Sequence, residues 1–174
     1  MTIRAIIFDI DGVLTDGRII LNDLGVESKN FHVRDGFAIK AAMSLGFHVG
    51  IITGRVSRVV AMRATDLGIR HLQQGAKDKG RALVELCEKL DVPLEATAYV
   101  GDDLIDLPAL LRCGYPIAVA DAVDEVRAVA KYITTRPGGH GAAREAIEHI
   151  LKKENRWNEL LARYGVQDVS LRKN

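Results

Sequence analysis

The chain has 174 residues, 48% of them hydrophobic, with 24 Lys and Arg against 23 Asp and Glu and a formal charge of +1. That length suffices for one domain with a substantial core, and the balanced charge excludes both a strongly basic nucleic-acid binder and an acidic disordered chain. Two cysteines, Cys87 and Cys113, exclude a disulfide framework and a Cys-rich zinc module.

Residues 5–8, Ala-Ile-Ile-Phe, read as a brief strand buried on both faces. Asp9 and Asp11 follow at once, so no signal peptide fits there; with no long apolar run elsewhere, a cytoplasmic protein without membrane contact is expected. Residues 18–33 hold Ile19-Ile20-Leu21, the turn-like Asn22-Asp23-Leu24-Gly25, then Val26 and Phe31. They predict a β-hairpin inserted after the first strand. A strand over 49–52 precedes a helix carrying Val59, Met62 and Leu67 that stops at Gly68. Leu83, Leu86, Cys87 and Leu90 share one helical face. A strand over 98–100 leads to a helix with Leu104, Leu107, Leu110 and Leu111 on one face, ending before Gly114. A strand over 117–119, a helix with Val123, Val126 and Ala130, and a weaker strand over 132–134 continue the alternation. Strands alternating with helices specify an α/β, doubly wound, Rossmann-like and mostly parallel sheet. The expected organisation is one domain over 1–151 and a helical tail over 152–174, where Trp157, Leu160, Leu161 and Tyr164 are spaced three and four apart.

Chemistry concentrates at strand ends. Asp9 and Asp11, at i and i+2 after the first strand, project to one side of extended backbone. Two anions that close call for a cation between them. Thr53, with Gly54 and Arg55, ends the second core strand and places a hydroxyl where it can anchor a phosphoryl oxygen. Lys77-Asp78-Lys79-Gly80 precedes the third helix and brings a cation, Lys77 or Lys79, near a helix N-terminus, which already favours anions. Asp102, Asp103 and Asp106 repeat the acidic pattern after the strand over 98–100. Oxygen ligands without nearby His or Cys point to Mg²⁺. His32, His48, His71, His140 and His149 lack ligand spacing, and both cysteines read as small reduced hydrophobes.

In order and spacing, Asp-x-Asp-Gly-x-x-x-Asp, Thr-Gly-Arg, Lys and Gly-Asp-Asp-x-x-Asp over 9–106 resemble the haloacid dehalogenase phosphohydrolase superfamily. The resemblance implies a nucleophilic Asp9 that forms an aspartyl-phosphate, and Asp11 as general acid and then base. It implies that Thr53 and Lys79 hold phosphoryl oxygens. Mg²⁺ would bind at Asp9, Asp11 (through its carbonyl) and Asp102, with Asp103 and Asp106 as supporting acids. Residues 12–52 and 54–78 are too few for a large cap domain, so the site is expected to be open.

The hairpin, Phe31-His32-Val33-Arg34-Asp35-Gly36, and Gly138-Gly139-His140-Gly141-Ala142-Ala143-Arg144-Glu145 resemble the 3-deoxy-D-manno-octulosonate 8-phosphate phosphatase family over residues 4–151. This second resemblance implies a homotetramer assembled through hairpins and a sugar-acid phosphate as substrate. It also implies that Gly138, Gly139 and Arg144 form a mobile lid reaching a neighbour's site, with Arg55 and Arg63 as further substrate contacts. A phosphatase for a related nonulosonate 9-phosphate shares these motifs. A non-catalytic receiver-like module would need its phosphoacceptor Asp near Thr53, and a non-catalytic assembly module would not need the full set of catalytic residue types.

Overall fold

The computed structural model describes residues 2–166. Its centre is β1 (Ala5–Phe8), four buried apolar residues with a parallel neighbour on each side: β4 (His48–Ile52) and β6 (Thr97–Gly101). Beyond β4 lies β5 (His71–Gln73); beyond β6 lie β7 (Tyr115–Ala118) and β8 (Tyr132–Ile133). The order β5-β4-β1-β6-β7-β8 is parallel throughout. Burial on both faces explains why these strands are apolar runs instead of alternating ones.

Helices cover both faces. One layer holds α1 (Val33–Ser44), α2 (Arg58–Leu67) and α6 (Ala142–Lys153); the other holds α3 (Lys79–Leu90), α4 (Leu107–Leu110) and α5 (Asp124–Val129). Asp78 caps α3, its carboxylate accepting from Arg81 N at 3.0 Å. Leu83, Leu86 and Cys87 on α3 are buried, with Leu90 half-buried at the edge. The core is continuous from Ile3 on one side to Leu160 on the other.

Several expectations change. The leucines at 104–111 do not share one helix face. Asp103 and Asp106 form a capping box around a 3₁₀ turn (Leu104–Asp106), and Pro108 then opens α4, leaving Leu104 and Leu111 exposed while Leu110 is buried. In α2 the buried face is Val60, Ala64 and Leu67, whereas Met62 is exposed. Helix α1 and strand β5 have no counterpart in the sequence reading.

The hairpin forms, but shorter than 18–33. It comprises β2 (Ile20–Leu21) antiparallel to β3 (Glu27–Ser28), and Val33 already belongs to α1. Asn22 Oδ1 ties the turn, accepting from Leu24 N at 3.0 Å and Val26 N at 2.9 Å. Phe31 leaves the hairpin and packs on the core beneath the Arg63 guanidinium. The tail is docked as far as it is described: α6 runs past position 151, and α7 (Trp157–Ala162) buries Leu160. Arg156 Nη1 donates to Leu45 O at 2.7 Å, and Arg163 Nη1 donates to Ser44 O at 2.9 Å. The expected tail over 167–174 lies outside the described residues.

Candidate active site

The chain order places β1 between a strand reached on one side and strands reached on the other, so a crevice opens at the carboxyl ends of β1, β4 and β6. A cleft of about 300 Å³ there is lined by Asp9, Asp11, Thr53, Arg55, Asp102 and Asp103. After β1 the chain winds tightly: the Ile10 carbonyl accepts from the amides of Val13, Leu14 and Thr15 and from Thr15 Oγ1. Gly12 sits at φ +95°, and a Cβ there would lie 2.0 Å from Asp102 Oδ2. The glycine therefore serves both the turn and the close approach of the second acidic loop.

Asp9 and Lys79 are both buried, with Lys79 Nζ 2.9 Å from Asp9 Oδ1 and 2.7 Å from Asp106 Oδ1. Burial lowers the Lys79 ammonium, but the Asp9 and Asp106 carboxylates outweigh it and hold the lysine above its usual range. Asp106 is completely committed. Its Oδ1 also accepts from Tyr99 OH at 2.9 Å, and its Oδ2 accepts from the amides of Asp102 and Asp103. Asp103 is exposed and uses its carboxylate to cap the 3₁₀ turn, accepting from Leu104 N at 2.7 Å.

Asp9, Asp102 and Asp106 bring carboxylate oxygens within 4.8 Å of one another. Desolvation and the neighbouring Asp106 charge push Asp9 up to about 7 and Asp102 up to about 8. Asp102 Oδ1 is buried without a hydrogen-bond partner, and the buried Asp9 Oδ1 faces the Lys79 ammonium. Buried, all-oxygen donors beside a crevice, one of them unpartnered, fit a hard divalent cation such as Mg²⁺. Because Asp106 is saturated, Asp9 and Asp102 are the carboxylates with oxygens to offer.

Asp11 lies beside them, but its carboxylate is taken by Lys29, whose side chain is 1% exposed. Sequence reasoning missed this lysine: it sits in a polar stretch between Ser28 and Asn30, and its only signal is its i+2 relation to Glu27. Glu27 in turn pairs with Arg55 Nη2 at 2.7 Å and accepts from Ser57 Oγ at 2.5 Å. The Ser57 hydroxyl holds the Glu27 carboxyl below its ordinary range. Arg55 is thus in the cleft wall.

Other expected residues are elsewhere. Arg63 lines a separate apolar crevice with Phe31, Asp35 and Gly36, its Nη1 2.6 Å from Asp66 Oδ2. Arg144 lies in an open groove of about 670 Å³ with Arg34, Arg136 and Lys152, pairs with Glu148, and stacks over Phe37 and Trp157. Gly138 and Gly139, expected in a lid, pack here on the loop after β1. Gly138 is buried, its amide donating to Asp121 Oδ1 at 2.9 Å, and Gly139 N donates to Val13 O at 2.9 Å. A Cβ on Gly138 would fall 1.7 Å from Gly12 O, so the glycine permits close backbone packing. Both cysteines are buried, and burial pushes the Cys113 thiol up to about 11. His32 caps α1, and His149 stacks between Tyr132 and Tyr115.

A family model for haloacid dehalogenase-like hydrolases matches residues 72–145. The 3-deoxy-D-manno-octulosonate 8-phosphate phosphatase KdsC of Escherichia coli is 45% identical over 157 residues, 90% of this chain and 84% of that protein. The chain belongs to the KdsC phosphatase family of haloacid dehalogenase-like hydrolases. Solved relatives share its architecture. The Moraxella catarrhalis phosphatase, crystallised with magnesium, phosphate and the KDO sugar, is 46% identical with a TM-score of 0.90, each chain 93% covered. The cobalt-bound Haemophilus influenzae phosphatase is 38% identical with a TM-score of 0.90, covering 96% of this chain and 98% of that one. In agreement with these relatives, the fold is a mostly parallel α/β sheet without a large cap.

Proposed function

We propose that the protein is a Mg²⁺-dependent phosphatase that hydrolyses 3-deoxy-D-manno-octulosonate 8-phosphate to the sugar acid and phosphate, a step in lipopolysaccharide sugar biosynthesis. The observation that carries this reading is the pair of buried carboxylate oxygens on Asp9 and Asp102, the first against Lys79 and the second without a hydrogen-bond partner, at adjacent strand ends, in a chain of this family. Asp9 attacks phosphorus and the bond to the sugar oxygen breaks. Asp11 gives that departing oxygen its proton. Water then attacks the phosphorus of the aspartyl-phosphate while Asp11 takes a proton from that water, and phosphate leaves with Asp9 and the protonated Asp11 restored. Thr53 and the cationic Lys79 hold the phosphoryl oxygens while charge builds on them. Asp9, the Asp11 carbonyl and Asp102 would hold Mg²⁺, which offsets the repulsion between a carboxylate nucleophile and an anionic ester.

Arg55 offers a cation to the substrate at the cleft wall. Arg144, in its groove, is suited to a neighbouring subunit's substrate; Arg63 is better read as a packing residue. A homotetramer built on the hairpins is supported by their exposed apolar side chains, and we place the enzyme in the cytoplasm. Phosphate release from a panel including this ester and a nonulosonate 9-phosphate, with and without Mg²⁺, tests the reading. The octulosonate ester should give the highest kcat/KM, chelation should abolish turnover reversibly, and Asp9→Asn should be inactive yet folded. Full activity in Asp9→Asn, or preference for the nonulosonate, would overturn it.

A further inference from the structure

The acid/base role given to Asp11 raises a physical difficulty that Lys29 resolves. Asp11 sits in the turn that follows Asp9, and both residues line the same crevice. A free carboxylate next to a divalent-cation site is drawn onto the cation, and a carboxylate bound there cannot deliver a proton to a leaving group. Two lysines divide the acids. Lys79 takes Asp106 and Asp9, while Lys29 takes Asp11. Glu27 and Lys29 are also i and i+2 at the end of β3, so they face the cleft together. Lys29 Nζ lies 3.4 Å from Glu27 Oε1, and Glu27 is anchored to Arg55 and Ser57. The buried ammonium is therefore fixed from behind by an acid tied to the strand-β4 loop, and its charge is balanced by two carboxylates.

We propose that Lys29 is a positioning residue for the reaction: it holds the Asp11 carboxylate off the metal-competent acids and turned toward the leaving oxygen. The inference rests on the reading above of Asp11 as acid and base. It also makes the inserted hairpin part of its own subunit's catalytic apparatus.

The test compares Lys29→Met and Lys29→Arg in the full chain, on 3-deoxy-D-manno-octulosonate 8-phosphate and on p-nitrophenyl phosphate. Lys29→Met should lower kcat on the sugar ester by about 10- to 100-fold with KM within about threefold, a part of what general acid catalysis supplies. For p-nitrophenyl phosphate, kcat/KM, which covers the steps up to nitrophenolate departure and not the later hydrolysis that also uses Asp11, should fall by less than about threefold, because nitrophenolate leaves without a proton. Lys29→Arg should recover most of the loss. Calorimetry of the substrate-free protein should show tighter Mg²⁺ binding in Lys29→Met, and Asp11→Asn should cancel that gain and make the lysine change kinetically silent. Equal losses on both substrates, a rise in KM alone, or unchanged Mg²⁺ affinity would overturn the proposal. If Lys29→Met does not fold by circular dichroism, Glu27→Gln/Lys29→Gln removes the charge pair together and faces the same criteria; failure of both to fold makes Lys29 purely structural and also overturns it. Asp11→Asn separates the two readings: wild-type turnover there removes the acid/base assignment, whereas an inactive Asp11→Asn beside an unaffected Lys29→Met removes only the role of Lys29.

Discussion

Asp9 and Asp102 are held where their charge is unfavourable, and that has a measurable sign. Both folded carboxyls titrate far above the 3.8 of an ordinary aspartate, at about 7 and about 8. Between those limits the folded state binds more protons than the unfolded one, so stability falls as pH rises. Metal-free protein in EDTA should accordingly melt at a lower temperature at about pH 8 than at about pH 6. Saturating Mg²⁺ should raise the melting temperature and flatten this slope, adding about 2.7 kcal/mol at a hundredfold excess over Kd. A melting temperature independent of pH and Mg²⁺ would contradict the charge geometry. The acids were legible in sequence because each follows a short apolar strand, a pattern that fixes both position and direction. Their division of labour was not. That Asp106 is saturated, Asp103 is a cap, and Lys29 reaches Asp11 depends on tertiary contacts that no local spacing encodes.

Helix α6 and the segment leading into it act as a brace for the loop after β1. Glu145 on α6 accepts from Tyr132 OH, from the amides of Thr135 and Arg136, and from Thr135 Oγ1. Burial works against its charge, but these donors prevail and hold the carboxyl below 4.5. The stabilisation is fully present above that value and lost as pH falls through the lower folded pKa. Glu145→Gln should remove this acid-side loss while lowering stability at neutral pH, as thermal melts across pH would show. Gly138→Ala should cost about 1–3 kcal/mol in denaturant unfolding, since its Cβ would strike the Gly12 carbonyl and neither backbone can yield. It should also depress kcat, because the displaced loop carries Asp11. At this scale the long apolar strands were readable, whereas β5 was not: His71-Leu72-Gln73 are half-buried at a sheet edge and show no apolar run. Helix α1 escaped because it opens on Val33-Arg34-Asp35-Gly36, charged and glycine-bearing, directly after a hairpin. The four leucines at 104–111 misled because periodicity is blind to a Pro and a capping box within it.

The whole molecule exposes a set of large apolar side chains on one insertion. Ile19, Leu21, Leu24 and Val26 are between 56% and 87% exposed. An isolated two-stranded ribbon gains little stability in water, and such a patch is suited to association. Leu21→Asp with Leu24→Asp should reduce the sedimentation coefficient from that of a tetramer while circular dichroism stays unchanged. A wild-type protein that sediments as a monomer would remove that assembly.

The brace also sets an order of events in synthesis. All the acids assigned to the site lie within the first 106 residues, yet the loop bearing Asp11 is fastened by Gly138 and Gly139. Asp35 accepts from Arg144 N, and Ile3 N donates to Glu154. Chains are made and begin folding from the N-terminus, and contacts this distant in sequence close late. A nascent chain therefore carries its whole complement of reactive groups well before it can aim them. A premature stop between residues 107 and 137 should therefore give a fragment without phosphatase activity, which an assay of chains ended there would check.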